Sequence, residues 1–475
     1  MNQNTNGYLA TERIGKLMLR FSIPCILSLL VSSLYNIVDQ IFIGWGVGYL
    51  GNGATNVVFP VTVIALALAL LVGDGCAAFL SICQGRQDAE GAHKCAGNAV
   101  VVIVAASVLL TVLLAVCKQG VLQSFGATEN NLAYASEYYD YILIGIPFFM
   151  FGNAMNSLIR SDGSPRFAML STLAGCLINV VLDPIAIFVL HWGMRGAALA
   201  TVAGQIVSAL LAVYYLRHTK AFRLKRSSFR PSGRMMGHFL PLGISSLLTQ
   251  ISIVIIMAAM NNMLVIYGAQ SKYGADIPLT VVGIVMKIFQ IVIAIVVGIA
   301  AGCQPIVGYN YGAGYGKRVK QLFRTMLAAE IIVGAVAMLC FECFPMQIIG
   351  IFGSEDGLYN EFAVLAFRVY LCTIVLCCIQ KSISIFLQSL GKPLLSMGLS
   401  LLRDFVLSVP LVLLLPRVFG VYGTLYSAPV ADIVSFIAAA ALSVYIVRHL
   451  NNHTPEGVAA QRSGHAADYT KPVNC

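Results

Sequence analysis

Long apolar runs succeed one another along nearly the whole chain, each wide enough to cross a bilayer. A crossing helix needs roughly 17–25 mostly apolar residues. Windows of that width predict twelve spans, at about 17–43, 55–83, 95–117, 132–157, 167–190, 196–216, 236–267, 278–308, 321–345, 360–388, 394–416 and 421–447. Alternation of period two is absent, which excludes a transmembrane β-barrel. The first run follows Thr11-Glu12-Arg13, is long, and has no small-residue cleavage site behind it. It is therefore expected to be a span rather than a removable signal. The predicted class is an all-α integral membrane protein.

The pattern also repeats. Sliding the chain against itself by about 217–228 positions aligns landmarks in order. Phe21-Ser-Ile-Pro24 meets His238-Phe-Leu-Pro241, and Gly75-Cys76 with Gly85 meets Gly302-Cys303 with Gly312. Phe125-Gly-Ala-Thr-Glu129 meets Phe352-Gly-Ser-Glu355, Ser161-Asp-Gly-Ser-Pro165 meets Ser389-Leu-Gly-Lys-Pro393, and Gly196 meets Gly423. Six spans per half is an even number, so both halves enter the membrane in the same sense. Such parallel repeats are a transporter architecture, with the substrate path between the halves. The expected organisation is a cytoplasmic segment 1–16, an N-lobe 17–217, a basic linker 218–235, a C-lobe 236–447 and a cytoplasmic tail 448–475.

Composition narrows the class further. Only 11% of the 475 residues are charged and 58% are apolar, with mean hydropathy +0.83. Soluble domains carry about 25% charged residues, so a soluble enzyme, a secreted disulfide scaffold and a disordered chain are excluded. The net charge of +10 invites a nucleic-acid reading until the basic residues are placed. With the N-terminus inside, 22 of the 30 Lys and Arg fall in cytoplasmic segments, against four outside (Lys118, Arg195, Lys272, Arg417). That asymmetry is the positive-inside bias, and it accounts for the charge without nucleic acid. Both termini are expected in the cytoplasm, at a bacterial plasma membrane, with lipids and small amphipathic molecules as the partners and the monomer as the working unit. The thirteen cysteines are scattered, and Cys340-Phe-Glu-Cys343 has no companion His or second Cys pair, so packing is the expected role.

Charge inside a membrane costs at least about 2.5–3.5 kcal/mol, so intramembrane ionisable groups are the best pointers to function. In the first span Ser28, Ser32, Tyr35 and Asp39 follow helical spacing, with Asn36 beside them. In the fifth, Asn179 and Asp183 are four apart and share a face, with Thr172 and Cys176 above. Pro184 removes the donor for the carbonyl one turn earlier. Thr201, Gln205 and Ser208 form a polar stripe in the sixth span. The repeat places Ile256 opposite Asp39, and sets Arg368 and Lys381 opposite Asp140 and Asn153. Acidic chemistry thus belongs to the first half. Lys287, Arg368, Lys381 and Arg403 of the second are expected to pair internally with Glu330, Asp404 and Asp432, and Asp74 between Gly73 and Gly75 stands alone.

With these residues in place the chain resembles the multidrug and toxic compound extrusion (MATE) family, in particular its DinF-type bacterial branch, over roughly residues 10–450. The resemblance rests on Phe21-Ser-Ile-Pro24, Tyr35-Asn-Ile-Val-Asp39-Gln-Ile-Phe-Ile-Gly44, the Gly-x-Pro turns at Gly163 and Gly391, Asn179-Val-Val-Leu-Asp183-Pro184 and Gly196-Ala-Ala-Leu-Ala-Thr201. It implies two six-helix lobes around a central cavity, and a proton or sodium site at Asp39, Asn179, Asp183 and Thr201. Other branches use carboxylates in the seventh and tenth spans; this chain has neither, and Lys381 lies in the tenth.

The expected function is cation-coupled efflux, by alternating access, of amphipathic organic compounds, cationic ones foremost. Neither a cofactor nor a metal beyond sodium is expected. Tyr35, Asn36, Asn153, Pro184, Gln205, Met257, Lys287 and Lys381 are candidates for substrate contact or gating. Phe148, Phe149, Phe151, Met155 and Met260 add candidate adaptable surface. The alternative transport reading is flipping of a lipid-linked or other amphipathic metabolite. A membrane-embedded enzyme would need clustered His or a nucleophile with its base. All seven histidines fall in loops, linker or tail, so no enzyme is expected.

Overall fold

The computed structural model describes residues 7–125, 131–274, 276–350 and 357–450, and every regular element among them is helical. Six helices build the first half: α1 (Ile14–Gly46), α2 (Tyr49–Gly85), α3 (Ala89–Val116), α4 (Leu132–Ser161), α5 (Pro165–Pro184) and α6 (Gly193–Leu216). The second half holds α7 (Gly233–Gly268), α8 (Asp276–Gly312), α9 (Gly316–Cys343), α10 (Gly357–Tyr370), α11 (Ile374–Ser389), α12 (Pro393–Leu401), α13 (Ser408–Phe419) and α14 (Val421–Leu450). Eleven spans are long and apolar enough to cross a membrane, and α10 with α11, bent by 44°, supplies the twelfth. The tenth span expected at 360–388 is thus broken at Leu371–Thr373, where the Thr373 hydroxyl donates to Asp432 Oδ2 at 3.0 Å. Gly126–Glu129, Phe352–Glu355 and the tail beyond residue 450, with Arg462 and Lys471, lie outside the described residues.

The internal repeat is visible at the level of single hydrogen bonds. Asn156 Nδ2 of α4 donates to the Ala168 carbonyl and to Thr172 Oγ1, both at 2.9 Å. Ser384 Oγ of α11 bonds the Ser396 carbonyl at 3.2 Å and Ser400 Oγ at 2.8 Å. In each half one polar side chain thus ties its helix to the first turns of the next.

The halves meet through the same two helix pairings. A Cβ at Gly298 of α8 would lie 2.8 Å from Ile26 Cα of α1, and one at Gly302 would lie 2.6 Å from Ser22 Cα. The counterpart contact sets Gly75 of α2 and Gly243 of α7 against Phe239 and Leu71 backbone. Gly85 and Gly312 then bring the last turns of α2 and α8 together. Backbones approach this closely only where a side chain is missing, the device membrane helices use in place of a hydrophobic driving force. All these contacts lie toward one end of the bundle. Toward the other end no glycine brings the lobes into backbone contact among the described residues and Asn36, Asn261 and Lys287 are exposed, so the lobes part there into a cleft.

The basic linker is docked. Asp162, beyond the end of α4, accepts from the Lys220 and Ala221 amides at 2.8 Å and from Tyr215 Oη at 2.7 Å. Burial raises its carboxyl to about 6, against the opposing pull of these donors. Asn98 of α3 accepts from the Ser232 amide at 2.8 Å.

Candidate cation site

The site begins as a helix-packing problem. Helices α5 and α6 run against each other with no side chain between Gly175 and Gly204: a Cβ at Gly175 would lie 2.8 Å from the Gly204 carbonyl oxygen. One turn on one side, Ser171 and Ser208 exchange hydrogen bonds, each hydroxyl donating to the other's carbonyl at 3.1 and 2.9 Å. One turn on the other side, Asn179 Nδ2 donates to Thr201 Oγ1 at 3.1 Å. Residues 171, 175 and 179 form an i, i+4 row, and 183 is its next member. The helical period therefore delivers Asp183 to the same interhelical seam.

Helix α1 supplies the second carboxylate. Asp39 is 8% exposed and Asp183 fully buried, and their carboxyl groups are neighbours. Tyr35, one turn from Asp39, lies beside Cys176 and the acidic pair. Helix α4 contributes Tyr138, buried near the same carboxylates and Thr201. Tyr138 escaped the sequence reading; Tyr134, Tyr138 and Tyr141 share helical spacing, and only the packing of α4 on α6 selects the middle one.

The oxygens left over define the chemistry. Asp39 Oδ1, Asn179 Oδ1 and both carboxylate oxygens of Asp183 are buried without a hydrogen-bond partner, and so is Gln205 Oε1 further along α6. Buried polar atoms are rarely left unpaired. Here the orphans are all acceptors, two carboxyls are among them, and no Lys or Arg among the described residues pairs with either. The deficit is one of positive charge and donors, so a proton or a small cation fits. Carboxylate, amide and hydroxyl oxygens are hard donors suited to sodium rather than to a thiophilic metal, and no group of three His, Cys, Asp or Glu occurs among the described residues.

Pro184 follows directly, and the chain passes into a π turn at Ile185–Val189, where the Leu190 amide bonds the Ile185 carbonyl at 2.9 Å. Such widened turns recur at functional sites because they loosen the backbone ladder.

Other predicted residues separate from this cluster. Asn36 is exposed and donates to the Ser32 carbonyl, and half-buried Asn153 donates to the Phe149 carbonyl. Met257 is half-buried, whereas Met155 and Met260 are packed inside the lobe cores. Lys381 is held in a buried network: its Nζ lies 2.7 Å from Asp404 Oδ2, while Arg403 bonds Asp404 at 2.8 Å and Asp432 at 2.9 Å. These pairings are the expected ones.

Three basic-acidic expectations change. Arg368 faces Glu342 rather than the buried acids. Buried Glu330 has neither oxygen hydrogen-bonded. Exposed Lys287 makes no ion pair or hydrogen bond among the described residues.

Nor does Asp74 stand alone. It accepts from Ser157 Oγ at 2.7 Å within its own lobe and from Ser246 Oγ of α7 at 2.9 Å across the lobe boundary, with Arg160 at 3.8 Å. Gln388 Nε2 of α11 reinforces the junction through the Leu242 carbonyl at 2.7 Å and Ser246 Oγ at 3.3 Å. A polar latch therefore crosses the floor of the cleft.

Comparison with known proteins gives a family match, two relatives and two solved structures. The MatE family model matches residues 24–185 and 245–414. The chain is 23% identical to the multidrug export protein MepA of Staphylococcus aureus strain N315 over 442 residues, covering 93% of this chain and 96% of that one. Its namesake in Staphylococcus saprophyticus is 24% identical over 446 residues, with the same coverage. Among solved structures, an outward-facing multidrug resistance MATE family transporter of the MOP superfamily superposes with TM-score 0.87 at 24% identity, covering 94% of this chain and 99% of that one. A MOP superfamily transporter from Pyrococcus furiosus gives the same TM-score, identity and coverage. These likenesses carry the two-lobe fold.

Proposed function

The chain belongs to the MatE family, and on that premise we propose that it is a multidrug exporter driven by antiport of protons or sodium ions. The observation that carries this reading is the set of orphaned oxygens on Asp39, Asn179 and Asp183, buried with no cationic side chain to neutralise them. Two adjacent carboxyls in a dry site do not both ionise cheaply. They titrate as a unit, holding a shared proton or the sodium ion that replaces it.

The direction of transport follows from the charge bias. If the Lys- and Arg-rich segments face the cytoplasm, the closed end marked by Gly85 and Gly312 is cytoplasmic and the cleft opens outward. In that state the latch of Asp74 on Ser246 holds the inner end shut. Cation binding at Asp39 and Asp183 removes the repulsion between the carboxyls of α1 and α5. These helices then repack around the π turn after Pro184, and substrate leaves to the outside. Alternating access needs only that the two states differ in affinity for the cation.

The test uses Asp39→Asn and Asp183→Asn in proteoliposomes with an imposed ion gradient and a fluorescent dye. Both variants are expected to lose gradient-driven efflux while eluting as folded protein. Undiminished, still gradient-dependent efflux in both ends this proposal.

A further inference from the structure

Lys287 sits about three turns inside α8, in a chain where an intramembrane lysine marks a functional site by default. Its direction follows from helical phase. Gly298 is eleven residues on, three turns and about 20° around the helix, and there α8 presses on Ile26 of α1. One turn the other way, a Cβ at Gly283 would meet nothing within 4 Å. The same face thus passes from contact with the opposite lobe to open space, and Lys287 stands at the transition. Val285, Val292 and Val296, roughly opposite on the helix, are buried in the C-lobe core. Lys287 accordingly projects away from its own lobe into the cleft.

Asp276 shares this face of α8 but stands eleven residues, about 16 Å, further out, and the acids deeper in the bundle are buried or engaged elsewhere. Asp39 is buried within the N-lobe, Asp74 is engaged by Ser157, Ser246 and Arg160, and Asp404 and Asp432 are engaged by Lys381 and Arg403. The opposing walls are neutral. Asn36 of α1 and Met257 of α7 each lie fourteen residues, within about 40° of helical phase, from the lobe-contacting Ser22 and Gly243.

We propose that the substrates of this cleft are amphipathic compounds bearing an acidic group, a carboxylate, sulfonate or phosphate ester, and that Lys287 is their charge partner. This sharpens the export reading and rests on it, and it reverses the cationic preference expected from sequence. A cationic compound at the depth of Lys287 meets a like charge, with Asp276 three turns away along α8. An anion meets an ammonium that has no partner among the described residues, and opposite charges attract more strongly as the bound compound displaces water from between them.

The experiment compares two xanthene dyes of matched size, one sulfonated and anionic, the other a cationic ester. Binding to detergent-purified full-length protein is followed by fluorescence anisotropy, and export is followed in proteoliposomes. Wild-type protein should bind and export the anionic dye in preference. Lys287→Gln should weaken anion binding about tenfold or more, Lys287→Arg should retain it, and Lys287→Glu should shift preference to the cationic dye. Preferential binding of the cationic dye, unaffected by Lys287→Gln, overturns the substrate assignment and leaves the export reading standing. Lys287-dependent anion binding without export in any gradient upholds the assignment and sinks the export reading instead. Binding of neither dye overturns the assignment.

Discussion

Asn179 Nδ2 donates to Thr201 Oγ1 at 3.1 Å, and that bond spends one of the amide's two N–H groups on α6 while Asn179 Oδ1 stays unpaired beside Asp183. An amide fixed this way presents its unpaired oxygen and its second N–H to the site. Asn179→Asp would add a third carboxyl and remove the tie to α6. The expected result is weakened coupled efflux whose pH profile moves to higher pH, because a third carboxyl raises the proton affinity of the cluster. Efflux with an unchanged pH profile would show that the amide's oxygen is not part of the site.

The glycine seam beneath that bond is equally testable. A Cβ at Gly204 would meet the Gly175 carbonyl and lie 3.5 Å from Asn179 Cβ. Gly204→Ala is expected to destabilise the protein by about 1–3 kcal/mol, the usual range for overpacking. It should also reduce coupled efflux by separating Asn179 from Thr201. Thermal unfolding in detergent measures the first effect and vesicle transport the second; an unchanged melting temperature with full activity contradicts the close approach.

At the floor of the cleft, Ser246→Ala removes the hydroxyl that reaches Asp74 across the lobes. A hydrogen bond to a charged group contributes about 1.5–3 kcal/mol. The population of the closed inner end should therefore fall by about tenfold or more relative to the alternative state. Distances between spin labels placed on the α2–α3 and α8–α9 connections report this directly. Distributions identical to wild type would mean that the latch does not hold the closed end.

The C-lobe network should behave as structure, not as transport machinery. Lys381→Ala strands Asp404 with Arg403 alone, and breaking one partner of a buried ion group costs about 3–5 kcal/mol. Replacing Lys381 by Met and Asp404 by Leu together should recover much of that loss. If the double variant is no more stable than Lys381→Ala alone, the pairing contributes nothing to the fold.

These predictions divide along what the sequence makes legible. Twelve spans follow from hydropathy because each must satisfy its own backbone in lipid. The tenth differs most, where Thr373 turns to Asp432 and the helix breaks, while π segments interrupt the fifth and eleventh. The repeat is legible because Ser161–Pro165 and Ser389–Pro393 punctuate both halves alike, and the bonds at Asn156 and Ser384 show that the likeness is structural. Asp39, Asn179 and Asp183 stand out by chemistry, since membranes seldom hold unpaired acids.

Tyr138, the partners of Asp74 and the direction of Lys287 do not stand out. Each depends on how helices distant in sequence rotate against one another, and a helix read alone has no fixed phase relative to its neighbours. The glycines that set this phase, Gly175 against Gly204 and Gly298 against Ile26, are legible as small residues but not as contacts.

The central claim is that the carboxyl pair exchanges a cation for a substrate, and ion flux tests it most directly. Proteoliposomes loaded with an exported dye are monitored for proton or sodium movement in the direction opposite to the dye. The account predicts counterflow of one of these ions in wild-type protein, begun by dye transport and abolished in Asp183→Asn. Dye transport with no accompanying ion movement, or ion movement undiminished in Asp183→Asn, would contradict it.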